Sequence, residues 1–424
     1  KFLLLAVIFA GVLACLFLQN KNESISNDAS TKIADIRTIM ILPFDDANTE
    51  TNQKHYAGWI SSEVYKGLSA VDSLRVISGN SINNTNNKKT HKEIGRDFGV
   101  DALIIGRVTS LDSDINLSVE LVYPETSQAL WVENIGGRIS QVQNFAPQII
   151  QGVKSKLGLS LDDKLITNTT ENSKVSSEAY NFFQLGCFYS NRTDKKGVEQ
   201  AIKYLNKAIE IEPEYASAHA WLAWCYFHQV PVKQLSPNDG FPKALTAAQR
   251  AINIDENESM AHYVMGGVTG SYFLNWIKAE SYLLRAVELN PNDSRIRIGR
   301  CMGLTHVGKY KEAMQEFETA MIIEPLNVFH LMVGSIAAIR ARKFDLAEKN
   351  LLLSLEIDPN FFDTYQHYAD VLIHNKEYDK AMNTLRTVIQ LNSGSWKTKA
   401  EAGARMGYIF SVTDQPDQAK IIIN

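Results

Sequence analysis

Cysteine is scarce in this chain, and the four that occur, Cys15, Cys187, Cys225 and Cys301, form no CxxC or other metal-ligand spacing. A disulfide framework is thereby excluded, although a chain long enough for a large core needs none in any compartment. An excess of charge is missing too. The 43 basic and 47 acidic residues leave a net charge of −4. That gives no electrostatic footprint for nucleic acid, and direct nucleic-acid binding by this chain is not expected. There is no GxxxxGK[ST], GxSxG or HExxH, and the nine histidines are scattered. No catalytic residue, cofactor or metal site is therefore expected, and the chain reads as non-enzymatic. Asp45-Asp46 is the most conspicuous carboxylate pair. It follows a strand-like run and a proline, with no basic or metal-ligating neighbour, so it reads as a turn.

Long apolar runs are missing except at the start. Phe2 to Leu18 is one stretch of apolar or small residues, closed by Gln19-Asn20-Lys21-Asn22. It lies at the short end of the roughly 17–25 residues that a spanning helix needs. It is long for the apolar part of a cleaved signal. Residues 1–19 accordingly read as a transmembrane helix or signal anchor, and the chain as a single-pass membrane protein with its remainder periplasmic or otherwise extracytoplasmic. Val12-Leu13-Ala14-Cys15 resembles a lipoprotein cleavage site, but Leu16-Phe17-Leu18 stays apolar where a lipoprotein turns polar. A lipoprotein and a cleaved signal are the other two readings. The chain begins with Lys1 and ends on Ile421-Ile422-Ile423-Asn424, where a solenoid ordinarily closes with a polar cap. Both termini read as truncated.

Residues 20–35 are rich in Asn and Ser and read as a linker. A small α/β domain is expected over 36–160. Thr38 to Phe44 is a buried-strand run, and Tyr56 to Leu68 has helical spacing with Trp59, Ile60, Val64, Tyr65 and Leu68 on one side. Leu74 to Ser78 reads as a second strand and His91 to Phe98 as a short helix. Ala102 to Thr109, Ile115 to Val122 and Ala129 to Val132 read as an antiparallel meander, closed by a helix from Phe145 to Leu157. A second polar linker spans 161–177.

Residues 178–424 repeat. Ala244, Ala279, Ala313, Ala347 and Ala381 stand 35, 34, 34 and 34 residues apart. Glu212-Pro213, Asn290-Pro291, Glu324-Pro325 and Asp358-Pro359 keep step with them. A period of 34 residues is the signature of tetratricopeptide repeats, each a helix–turn–helix unit. Small residues are required where two helices cross closely, and proline stops the second helix before the next pair. Ala208, Ala251, Ala286 and Ala320 recur late in the second helices. The fold class expected is mainly α: a right-handed tetratricopeptide superhelix of six repeats and part of a seventh. The α/β domain and an N-terminal membrane helix precede it. An insertion from Val230 to Pro242 interrupts the second repeat.

The α/β segment carries further phrases in order: Ile41-Leu42-Pro43-Phe44-Asp45-Asp46, Leu74-Arg75-Val76-Ile77-Ser78, Glu93-Ile94-Gly95-Arg96-Asp97-Phe98-Gly99-Val100, Gly106-Arg107-Val108 and Leu130-Trp131-Val132-Glu133. This segment resembles the TolB-N-terminal/FlgO-like α/β module of bacterial membrane-anchored signalling proteins. In those proteins a cytoplasmic effector, an adenylate/guanylate cyclase or a winged-helix regulator, precedes one membrane helix, this module and tetratricopeptide repeats. The resemblance implies the sensory or interaction region of such a protein, with the effector upstream. A free-standing envelope scaffold is the alternative. No effector domain is present in these 424 residues.

In tetratricopeptide repeats the first helices line a concave groove. The repeat frame puts Tyr180, Phe183, Trp224, His228, Tyr263, Arg295, Met302, His306, Arg340, Gln366, Asp370 and His374 on that face. Aromatics early and Arg/His later suit a protein or peptide ligand with apolar anchors and some acidic character. The competing reading is that half of them, Phe183 and Met302 above all, pack between repeats. His228, His306 and His374 share one repeat position. They are expected either to charge the groove as pH falls toward 5–6 or to be solvated helix-end residues.

Overall fold

The computed structural model describes residues 33, 36–46, 55–71, 73–79, 89–111, 114–159, 175–190, 195–230, 235–392, 396–415 and 417. The chain divides into two compact units, residues 1–77 with 89–170 and residues 78–88 with 171–424. The expected membrane helix over 1–19 lies outside the described residues. Among the described residues no helix is long and apolar enough to cross a membrane. The expected single-pass membrane localisation is corrected on that finding.

The first unit contains β1 (Thr38–Ile41), β2 (Asp45–Asp46), α1 (His55–Ser69), β3 (Arg75–Ser78), α2 (His91–Phe98), β4 (Ala102–Leu111), β5 (Asp114–Tyr123), β6 (Gln128–Arg138) and α3 (Phe145–Lys156). The strand order is β3-β1-β4-β5-β6, with β2 also paired to β4. β1 and β2 run parallel to β4, whereas β4, β5 and β6 form the antiparallel meander. Consecutive residues of β1 and of early β4 are fully buried, which marks strands covered on both faces. Asp45-Asp46 is not the expected turn. Pro43 lacks an N–H and interrupts the ladder after the Ile41–Ile104 pair; pairing resumes one residue out of step at Asp45–Arg107. Phe44 lies flat on Gly106, where an added Cβ would stand 2.5 Å from the ring. Thr90 and Glu93 form a capping box at the start of α2, and Gly99 closes it in the left-handed conformation. Helices α1 and α3 meet where Gly67 leaves room for Ile150.

The second unit is helical: α4 (Ser177–Ser190), α5 (Lys195–Ile211), α6 (Ala216–Gln229), α7 (Pro237–Ile254), α8 (Ser259–Ser271), α9 (Trp276–Leu289), α10 (Ser294–His306), α11 (Tyr310–Ile323), α12 (Val328–Arg340), α13 (Phe344–Ile357), α14 (Phe362–His374), α15 (Tyr378–Leu391) and α16 (Trp396–Val412). Six helix pairs are followed by α16. Ala201, Ala244, Ala279, Ala313, Ala347 and Ala381 are all fully buried in the second helices, as are Ala208, Ala251, Ala286 and Ala320. The expected insertion is shorter than Val230 to Pro242. Helix α7 starts at Pro237, with the Ser236 hydroxyl capping the Asp239 N–H, so Pro242 sits inside the helix.

Each turn between paired helices from α8 to α15 has one residue in the left-handed region: Leu274 (φ 55°), Gly308 (78°), Arg342 (60°) and Lys376 (64°). The next N–H, of Asn275, Lys309, Lys343 and Glu377, bonds back to Thr269, Leu304, Ala338 and Leu372. The last three are Schellman closures, five residues back, which satisfy orphan carbonyls of the first helix inside the turn, whereas Asn275 reaches six residues back. A second recurrent bond was not foreseen. His219, His262, Arg297 and Tyr365 each bond the backbone oxygen six residues back, in the turn entering their helix.

Candidate partner-binding face

First helices of consecutive pairs contact one another, whereas each second helix packs mainly on its own partner and on the next first helix. The first helices therefore line the inner side of the stack. On that side Arg295 of α10 reaches back over a whole repeat. Its guanidinium stands 5.0 Å from the Trp221 ring and 6.0 Å from the Trp224 ring, both on α6. Between them lies Tyr263 of α8, its ring 5.4 Å from Trp224. The Tyr263 ring fills the space a Cβ would take at Gly299 of α10. Three of the residues expected to face the groove, Trp224, Tyr263 and Arg295, are thus brought together.

Their charge is already matched. Asp293 caps α10 and takes both Arg295 Nε (3.1 Å) and Nη2 (2.7 Å). Burial works against the Arg295 charge, but Asp293 outweighs it and holds the guanidinium above its ordinary range. Glu324 and His330 close the same cluster. Burial raises Glu324, opposed by a 2.9 Å hydrogen bond donated by Asn327 Nδ2. Burial pushes His330 down to about 3, and its Nδ1 has no hydrogen-bond partner. Asp293 thus satisfies the Arg295 cation internally.

Tyr180, Phe183, Trp224 and Gln366 are buried. Phe183 packs at 4.9 Å on Tyr215, at the entry to the next repeat. These four support the stack rather than offer a free surface. His228 does not join the expected pH-dependent row. His228 lies 3.6 Å from the Trp224 ring and burial, followed by Arg295, pushes it down to about 4, so it stays neutral at pH 5–6. His306 stacks on Trp276 (3.9 Å) and His374 on Phe344 (3.4 Å), each aromatic belonging to the preceding repeat. The shared position is a stacking position.

Of the remaining positions, Arg340 is exposed and Met302 and Asp370 are partly buried. Met302 and Ile336 are partly buried and pack on one hydrophobic cluster, 34 residues apart like Asp370 after them. Asp370 holds a bidentate pair with Arg405 of α16 at 2.7 and 3.0 Å, which shows that this position points along the inner side to the next first helix. Phe329 is 43% exposed at the repeat position of Arg295. Arg340 is exposed and has no carboxylate partner among the described residues. Sequence reasoning missed Phe329 and Trp221. No group of three His, Cys, Asp or Glu among the described residues is placed to hold a metal ion.

Residues 179–215 and 362–394 match the tetratricopeptide repeat family model. The helix pairs are tetratricopeptide-like. The chain is 24% identical over 244 residues to Putative adenylate cyclase 3 of Rhizobium meliloti (strain 1021), covering 57% of this chain and 40% of that protein. It is 22% identical over 337 residues to Transcriptional regulator HilA of Salmonella typhimurium, covering 76% of this chain and 59% of that one. The chain thus spans about two fifths to three fifths of these relatives. Among solved structures it is similar to a tetratricopeptide repeat protein from Parabacteroides merdae, at 15% identity and a TM-score of 0.40 over 58% of this chain and 91% of that one. It is also similar to YrrB, described as a TPR protein with an unusual peptide-binding site, at 21% identity and a TM-score of 0.31 over 50% and 97%.

Proposed function

We propose that the repeats bind an extended protein segment along the inner side from α10 to α14. Met302, Ile336 and Phe329 supply apolar contacts and Arg340 supplies the free cation. The observation that carries this reading is the contrast along one face. Around Arg295 the face is filled and neutralised by its own Trp224, Tyr263 and Asp293. Toward α12 it presents Phe329 in the open and Arg340 without a counter-ion among the described residues. The ligand therefore carries apolar side chains with one carboxylate rather than a run of acids.

We further propose that this chain serves as the interaction region of a longer signalling protein, its α/β unit being TolB-N-terminal/FlgO-like. The order of phrases from Ile41 to Glu133 supports this, together with the likeness to a putative adenylate cyclase and to a transcriptional regulator. Peptides selected from a random display library against the native chain test the binding face. Phe329→Asp and Arg340→Glu are expected to abolish their binding while thermal stability is retained. Undiminished binding to both variants would refute the reading.

A further inference from the structure

The repeats serve as their own controls, and one turn departs from the rest. In the turn between α8 and α9, Phe273 is 59%, Leu274 74% and Ile277 83% exposed. The residues at the position of Leu274 in the next three repeats are Gly308, Arg342 and Lys376, all set by the same left-handed geometry. At the position of Ile277 they are Lys311, Asp345 and Asp379. Only here among these four turns do apolar side chains replace glycine or charge, and one of them sits in a backbone conformation that disfavours leucine. Closing the turn does not call for them, since its bond from the Asn275 N–H to Thr269 is between backbone atoms and the other turns close with glycine or charged residues at these positions.

Phe273 also borders a cleft of about 640 Å³ between α7, α8 and α9, within the range that holds a bound molecule. Leu245 and Met265 give it an apolar lining, and Arg250 and Lys278 are its charged residues. No carboxylate lines it. Arg250 already pairs with Glu214, but Lys278 has no ion-pair partner among the described residues. The cleft is separate from the inner face. Met265 lies two residues from Tyr263, about 200° round helix α8 at 100° per residue.

We propose that this turn and cleft form a second docking surface, on the second-helix side, for an acidic amphipathic segment of another protein. Its apolar side chains cover Phe273, Leu274 and Ile277, and its carboxylates meet Lys278 and the rim of Arg250. Charge complementarity selects this occupant: a cationic cleft without carboxylates beside an apolar tip favours a segment that alternates apolar and acidic residues.

The test uses a fluorescein-labelled peptide of alternating leucine and glutamate with one phenylalanine, and its lysine-for-glutamate counterpart. Fluorescence polarisation is read with the full chain. The acidic peptide is expected to bind and the basic one not. The double variant Leu274→Gly, Ile277→Asp takes residues that other repeats carry at these positions, so it keeps the fold, yet affinity should drop about ten-fold or more. Lys278→Glu should weaken binding similarly, whereas Arg340→Glu on the inner face should leave it unchanged. Equal binding of both peptides, or equal affinity for native and double variant, would overturn the proposal. So would self-association, or binding to phosphatidylcholine vesicles, that the double variant abolishes while the acidic peptide fails to bind.

Discussion

Replacing Lys376 by glycine should stabilise the repeats, although it deletes a charged side chain from a surface turn. Lys376 holds φ 64°, and its turn closes through Glu377 N–H to Leu372. An L-residue in that region costs about 1–2 kcal/mol. Glycine avoids this but gives up about 0.5–1 kcal/mol of extra unfolded-state freedom. The net gain is about 0.5–1 kcal/mol. Leu274, at φ 55° and largely exposed, should behave alike. Arg342 should not, because its guanidinium stands 5.6 Å from the Phe344 ring, and losing an exposed cation–π contact of about 0.5–1 kcal/mol cancels the backbone gain. The reverse change, Gly308→Ala, meets no atom within 4 Å and so isolates the backbone cost. Leu274→Gly with Lys376→Gly should together raise Tm by roughly 2–8 °C, at about 2–4 °C per kcal/mol for a unit of this size. The sites belong to different turns and should add. Thermal unfolding followed by far-UV circular dichroism is the assay. A Gly308→Ala variant that melts with the native chain, or a Lys376→Gly variant that melts lower, would refute the reasoning.

Ala347 is fully buried at the crossing of α12 and α13, so Ala347→Leu should cost about 1–3 kcal/mol in urea unfolding; a neutral result would mean the crossing is loose. Asp293 satisfies the Arg295 guanidinium, so Asp293→Ala should cost about 3 kcal/mol or more, and Asp293→Ala combined with Arg295→Met should recover part of it. His228 and His330, held down at about 4 and about 3 by burial, bind fewer protons folded than unfolded below pH 6.5. The stability they contribute is complete above pH 6.5 and is lost as pH falls toward 4, by about 2 kcal/mol per histidine at pH 5. A His330→Leu variant should lose less between pH 7 and pH 5 in urea titrations, and an equal loss would contradict the assignment.

The ladder of small residues was legible because its cause is local to one repeat. Small residues from Ala244 to Ala381 stand buried in the second helices, and the repeat spaces them almost evenly. The strand meander was legible for a similar reason, as alternation in β5 follows from one buried face. The turn positions were only a quarter visible. Gly308 announces a left-handed residue, while Leu274, Arg342 and Lys376 conceal the same conformation behind ordinary side chains. Asp45-Asp46 was misread because pairing that resumes after a proline depends on a partner strand some 60 residues on.

Periodicity alone placed Trp224, Tyr263, Arg295 and the three histidines on first helices, and that much the sequence determined by itself. Tertiary structure decided what each one does. The small rotation from one helix pair to the next brings Arg295 over rings two repeats earlier and sets His306 and His374 on aromatics of the repeat before. It leaves Phe329 and Arg340 open at positions equivalent to filled ones. A repeat frame assigns the same place to equivalent residues, but burial and charge depend on which side chains the neighbouring turns of the stack bring against them.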